Sequence, residues 1–305
     1  MNHSKENLAG VFAPVVTPFE GDTPDLDALA FNLAKLRRTG LAGYLALGSN
    51  GEVRSLTDEE RILVLEVFAQ EKGDKVVMVG AGYESTKETI EKCHIAAQMG
   101  FEYVSVLTPS YFAKQMDATA LLRHYERIAE KVPVPVLLYN APQFAGGVQI
   151  PTRTVVELSK HANIVGMKDS SPAGPSRFLA ELDPEEDFSV LAGSANTFYS
   201  SLHLGAAGSV ISIANFAPDA CVELYRLFIQ GQYDQARELS DGLIRLNQTV
   251  SGNWGVAGVK AAMDLVGLKG GRPRMQLMPA PDEAVTQIRE AMVSEGFLVP
   301  FPVGE

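Results

Sequence analysis

Apolar residues along this chain fall into two alternating patterns. Short runs rich in β-branched residues occupy 10–16, 43–47, 75–81, 103–107, 134–140, 164–170, 188–192 and 209–213, and each reads as a strand buried on both faces. Amphipathic stretches of helical period follow at 25–39, from 57 onward, and at 85–99, 117–131, 152–160, 195–204 and 219–230. The punctuation agrees. Thr17-Pro18 ends the first strand and Gly40 stops the first helix. Thr57 with Glu60, and Ser85 with Glu88, have capping-box spacing, and Pro151 opens a helix.

Eight strand–helix units, repeating about every 27 residues, predict an α/β fold in which the sheet closes as a (β/α)8 TIM barrel. An open doubly wound sheet is the alternative. That fold normally shows a glycine-rich fingerprint after its first strand, and Ala13-Pro14-Val15-Val16-Thr17-Pro18 is unlike one. Beyond Gly231 the alternation stops, and helical patterns at 234–246, 255–266 and 281–294 predict a small C-terminal helical extension. The expected division is therefore a catalytic barrel over 1–230 and an extension over 231–305. Helices this short are marginal alone, so the extension is expected to pack on the barrel or on another subunit.

Composition narrows the classes of partner. The 305 residues are 46% hydrophobic and 21% charged, as in an ordinary globular protein with a large core. A net charge of -11 argues against nucleic acid and gives no attraction to anionic membranes. The two cysteines, Cys93 and Cys221, lie in helical patterns and read as packing residues, which suits a reducing cytoplasm. Residues 1–9 lack the apolar core of a signal peptide, and no run approaches the roughly 18 apolar residues of a membrane span.

A barrel places chemistry at the C-terminal ends of its strands. Thr17, Ser49, Asn50, Tyr139, Lys168, Ser170, Ser194 and Asn215 fall at those junctions, with Tyr111 close by. The five histidines, His3, His94, His124, His161 and His203, fall elsewhere, so no metal centre is expected. Lys168 stands out. It shares a strand face with Ile164 and Gly166, and an ammonium in a packed core costs several kcal/mol unless it is paired or gives up its proton. A neutral amine is a nucleophile that forms a Schiff base with a carbonyl substrate, and Gly166 is expected to leave space for one. Tyr139, at the end of the neighbouring strand, is placed to shuttle the protons of imine formation, and Ser49 to pass them on. A lysine at a strand end that snorkels into solvent, and a tyrosine that merely packs, are the structural alternatives.

These residues sit in motifs that carry a resemblance over nearly the whole chain. Gly48-Ser49-Asn50-Gly51-Glu52, Leu107-Thr108-Pro109-Ser110-Tyr111, Tyr139-Asn140-Ala141-Pro142 and Gly166-Met167-Lys168-Asp169 resemble segments of the pyruvate-dependent class I lyases typified by dihydrodipicolinate synthase and N-acetylneuraminate lyase. The resemblance implies that Lys168 forms the imine and that Tyr139 relays protons. It also implies that Ser49 links Tyr139 to Tyr111 of a neighbouring chain. The hydroxyl and backbone of the 48–52 loop, with Asn50 and Gly51, would hold the pyruvate carboxylate. Ile211, within Gly208-Ser209-Val210-Ile211-Ser212, would line the same pocket. It further implies a 2-oxo acid substrate, a homo-oligomer (tetramer or dimer), and no cofactor.

One departure bears on the substrate. The synthases carry an arginine two residues after the proline of the tyrosine motif, and Phe144 stands there in this chain. Together with Ser170 and Leu191-Ala192-Gly193-Ser194-Ala195, this is most similar to the 4-hydroxy-2-oxoglutarate aldolase branch, in which Ser170 would join Ser49 and Asn50 in binding substrate. The expected reaction is cleavage of a 4-hydroxy-2-oxo acid to pyruvate and an aldehyde such as glyoxylate. Condensation of pyruvate with aspartate semialdehyde is the alternative within the family. A catalytically silent barrel with a binding role and a pyridoxal-phosphate enzyme are the alternatives outside it.

Overall fold

The computed structural model describes residues 8–301; His3 and the start of the N-terminal stretch lie outside them. Eight parallel strands close into a barrel: β1 (Gly10–Pro14), β2 (Gly43–Ala46), β3 (Val76–Gly80), β4 (Tyr103–Leu107), β5 (Val136–Asn140), β6 (Ile164–Asp169), β7 (Ser189–Ala192) and β8 (Gly208–Val210). Each lies beside its sequence neighbours, as the expected (β/α)8 order requires. The helices between them are α1 (Leu26–Leu36), α2 (Asp58–Glu71), α3 (Thr86–Gln98), α4 (Ala118–Lys131), α5 (Thr152–Leu158), α6 (Ser176–Leu179) and α7 (Ala195–His203). After α8 (Pro218–Ile229) come α9 (Tyr233–Asn247), α10 (Asn253–Leu265) and α11 (Asp282–Ser294).

By compactness the chain divides into two units, Met1–Gly10 with Val76–Val210, and Val11–Lys75 with Ile211–Glu305. In the first unit, β5 and β6 are buried at every position, because the strand runs 136–140 and 164–169 hold residues that fill both faces. Asp117 caps α4 through the Ala120 N–H, and Tyr125 on that helix donates to the Val106 carbonyl of β4 at 3.1 Å, docking helix on strand. Both cysteines are buried and unbridged, Cys93 on α3 and Cys221 on α8. Burial pushes the Cys93 thiol up to about 12, which keeps it an inert packing group.

In the second unit, the reciprocal capping box of Thr57 and Glu60 starts α2. Ser85 of the first unit makes only half of such a box, accepting from the Glu88 N–H. A two-stranded hairpin of Phe19–Glu20 with Thr23–Pro24 follows β1, and no sequence pattern announces it. The eighth strand ends at Val210, short of residue 213. Beyond it, Ser212–Asn215 winds into a 3-10 turn, in which Asn215 donates to the carbonyls of Pro14 and Ser212. Helices α9 and α10 run on through a π-helical turn at Gln248–Gly252, and Gly255 takes the kink with φ 53.

Candidate active site

In the first unit, the register of β5 against β6 sets Tyr139 beside Lys168 on one face and Asn140 beside Asp169 on the other. Lys168 Nζ stands 4.6 Å from the centroid of the Tyr139 ring. The lysine is 5% exposed and makes no ion pair among the described residues, so it is a strand lysine held inside the fold and not one that snorkels out. Leu107 of β4 is in register with Tyr139, and Leu191 of β7 with Lys168, so aliphatic side chains flank the pair on that row. Gly166, two residues before the lysine, has a reason other than the expected space for substrate. A Cβ there would collide with the Ser189 carbonyl oxygen of β7, so close strand approach already demands glycine.

The opposite face carries a brace that sequence reasoning missed. Asn140 Nδ2 donates to Asp169 Oδ1 at 2.6 Å, Ser171 Oγ donates to Asp169 Oδ2 at 2.8 Å, and Asn140 Oδ1 accepts from the Ile150 N–H at 2.9 Å. Burial raises the Asp169 carboxyl above the usual carboxylate range, and the hydrogen bonds from Asn140 and Ser171 pull it back down. The brace ties the two strand ends one residue beyond Tyr139 and Lys168. Its signal in the sequence was the polar residue that directly follows Tyr139 and Lys168, in strands otherwise apolar.

Three further expected site residues lie in the same unit. Ser170 Oγ donates to the Gly193 carbonyl at 3.4 Å, and any side chain at 193 would strike that hydroxyl. Phe144 closes a 3-10 turn, Pro142–Phe144, with its ring 55% exposed, while the neighbouring Gln143 donates to the Ser170 carbonyl at 2.8 Å. Tyr111 is 80% exposed. Its N–H and that of Ser110 both donate to Glu84 Oε2 at 2.8 Å, which fixes the backbone, and its ring meets Phe112 edge-on at 5.0 Å.

The second unit holds Ser49, Asn50, Gly51 and Ile211. The loop after β2 runs from Leu47 to Glu52, and both of these residues have φ of 52, which is left-handed backbone at non-glycine positions. Thr17 Oγ1 donates to the Gly51 carbonyl at 2.8 Å. Ser49 is half-buried, and the buried Asn50 Nδ2 has no hydrogen-bond acceptor among the described residues, so it is a donor free to take a ligand oxygen. Ile211 is fully buried just after β8, its N–H donating to the Phe12 carbonyl at 3.3 Å. Sequence reasoning also missed the partner of Glu52. Its Oε1 lies 2.6 Å from Nζ of Lys260, a buried residue of α10.

No group of three or more His, Cys, Asp or Glu among the described residues could hold a metal ion. His124 is buried on α4 against Thr86, Nδ1 to Oγ1 at 2.9 Å, and burial drives its imidazole down to about 4. No helix of the described residues is long and apolar enough to cross a membrane.

Comparison with known proteins agrees with the barrel fold. Residues 7–295 match the model of the dihydrodipicolinate synthetase family. The chain is 33% identical over 286 residues to a 4-hydroxy-tetrahydrodipicolinate synthase of Methanothrix thermoacetophila, covering 93% of this chain and 95% of that one. It is 32% identical over 293 residues to a probable mitochondrial 4-hydroxy-2-oxoglutarate aldolase of Emericella nidulans, covering 93% and 94%. Among solved structures, a prophage protein of the dihydrodipicolinic acid synthase family from E. coli K12, in complex with pyruvate, superposes with a TM-score of 0.88 at 26% identity, covering 95% and 99%.

Proposed function

This chain belongs to the dihydrodipicolinate synthetase family and is a pyruvate-dependent carbon–carbon lyase, and we propose that it cleaves 4-hydroxy-2-oxoglutarate to pyruvate and glyoxylate. What supports the chemistry most is Lys168, buried without a carboxylate partner and 4.6 Å from the Tyr139 ring. In the proposed sequence, the Lys168 amine adds to C2 of the oxo acid, and loss of water leaves a protonated imine. The Tyr139 oxygen takes the proton from the C4 hydroxyl as the C3–C4 bond breaks, and the bonding pair flows into the imine to give an enamine. Glyoxylate leaves with the C4 carbon. A proton then returns to C3, and water hydrolyses the imine to release pyruvate and the free lysine.

Ser49, Asn50 and Gly51 are proposed to hold the carboxylate next to the reacting carbonyl, and Asn50 suits this because its buried amide has no other acceptor. Ser170 and Ile211 complete the proposed pocket. Tyr111 is proposed to reach a neighbouring copy, which suits an exposed phenol on a fixed backbone, and the working enzyme would then be a symmetric oligomer. Residues 1–230 would form the catalytic barrel and 231–305 its extension, acting in the cytoplasm without a cofactor.

Phe144 favours the aldolase over the synthase. A phenyl ring gives the carboxylate of aspartate semialdehyde no charge-assisted partner, a loss worth roughly 2–5 kcal/mol, whereas the carboxylate of glyoxylate, directly attached to its aldehyde carbon, is proposed to use Ser170 or a backbone amide instead. The synthase remains the second reading because a relative of that name is as similar as the aldolase. Measuring kcat/KM for 4-hydroxy-2-oxoglutarate cleavage and for condensation of pyruvate with aspartate semialdehyde decides between them. Faster cleavage is expected; faster condensation would overturn the aldolase assignment.

A further inference from the structure

The loop proposed to hold the pyruvate carboxylate ends on Glu52, whose backbone is left-handed with φ 52 and ψ 37. An L-residue does not rest there without something to hold it. What holds Glu52 is its own side chain, turned into the core. Oε1 makes the 2.6 Å ion contact with Lys260 Nζ, and Oε2 accepts from the Arg274 backbone N–H at 2.9 Å. Lys260 is 0% exposed and donates to the carbonyls of Thr17 at 2.8 Å and Arg272 at 3.0 Å. Thr17 returns to the loop through its hydroxyl bond to the Gly51 carbonyl. Lysine, threonine, glycine and glutamate thus form a closed circuit around the last two residues of the loop. The segment after α10 is anchored too, since the Arg274 guanidinium grips both oxygens of Glu60 at 2.6 Å, and Glu60 is the third residue of α2 and the reciprocal member of its capping box with Thr57.

A buried ion pair is weak evidence for stability, because an apolar pair of the same volume often does as well, so its use must be sought in what it orients. Here it orients two consecutive peptide units. The Gly51 carbonyl is pulled down onto Thr17, the Glu52 backbone is held left-handed, and the Glu52 N–H closes back on the Ser49 carbonyl at 3.1 Å, which fixes the turn that carries Ser49 and Asn50. We propose that Glu52 and Lys260 are positioning residues that set the affinity of the 48–52 loop for the substrate carboxylate, so that the C-terminal extension, through Lys260, takes part in substrate binding. This rests on the function proposed above, in which that loop receives the carboxylate of pyruvate.

The test is borohydride trapping of the Lys168 imine, titrated with pyruvate and, separately, with methyl pyruvate, which keeps the ketone and lacks the charge. In Lys260→Met and in Glu52→Gln, the half-saturating concentration of pyruvate is expected to rise by about 10-fold or more, while that of methyl pyruvate stays within about 2-fold of the parent. An equal shift for both ketones, or no shift in a variant that melts cooperatively, would overturn the proposal, since a merely structural role does not distinguish the two. Should Lys260→Met not fold, Glu52→Gln, which keeps the shape of the side chain, reads the same contrast. Failure of the parent enzyme to be trapped at Lys168 by pyruvate is a different result: it overturns the lyase mechanism itself.

Discussion

Among the described residues two lysines are buried, and their surroundings are opposite. Lys168, in the first unit, has an aromatic ring at 4.6 Å and aliphatic residues along its row, with no carboxylate partner among the described residues. Lys260, in the second, also has an aromatic ring at 4.6 Å, that of Phe19, yet a carboxylate and two carbonyls take up its ammonium. Burial alone therefore does not mark a nucleophile. Burial pulls the Lys260 ammonium below its ordinary range and Glu52 pulls it only part of the way back, while that carboxylate and the two carbonyls lie against its nitrogen. A lysine meant to attack a carbonyl has to keep its lone pair accessible, and Lys168 is the one left without such partners.

Substitutions at the two sites should separate accordingly. The largest effect is expected for Lys168→Ala, which removes the amine proposed to carry the reaction and should lower kcat/KM by roughly 10³-fold or more, with near-parental stability. Lys260→Met should show the reverse emphasis. It strands the Glu52 carboxylate in the core, and the midpoint of chemical unfolding should report a loss of about 3–5 kcal/mol, whereas Lys168→Met, which strands nothing, should fall within about 1 kcal/mol of the parent or above it. Equal destabilisation by the two would erase the distinction drawn between them.

Tyr139→Phe keeps the ring beside Lys168 and removes only the hydroxyl. Steady-state kinetics should then show kcat down by about 10²-fold if the phenol carries protons, and little change if it merely packs. The smallest effect concerns acid stability. His124 has an imidazole lowered from 6.5 to about 4, so its neutral form is the one the fold accommodates. The associated stability is complete above the unfolded value and is lost as pH falls from about 6.5 to about 4, amounting to at most about 3 kcal/mol. His124→Gln should flatten the unfolding midpoint over that window while leaving its dependence at higher pH unchanged.

The strands and their order were legible because the apolar runs are short, most are rich in β-branched residues and most are followed closely by Gly or Pro, and because Thr57, Ser85 and Asp117 cap the helices they precede. Lys168 and Tyr139 were legible as a pair for the same reason: parallel register in a sequential barrel puts consecutive strand ends side by side. Lys260 was not. In the sequence it is one more lysine in a helical pattern, and its partners Thr17 and Glu52 lie far away along the chain, so only the folded second unit brings them together. The brace of Asn140 and Asp169 was half legible, as polar residues in buried strands whose bonds could not be assigned without the register. For Gly166 the sequence suggests only space for substrate, and it cannot show the second reason for glycine, the Ser189 carbonyl that lies against it.

The most direct test of the contrast between the two lysines is to incubate the enzyme with pyruvate, reduce with borohydride, and map the modified peptide by mass spectrometry. The proposed mechanism predicts one pyruvate-derived adduct per chain, on Lys168, with Lys260 unmodified, and no adduct in Lys168→Ala. An adduct on Lys260, or one that forms at full yield in Lys168→Ala, would contradict the assignment of Lys168 as the nucleophile.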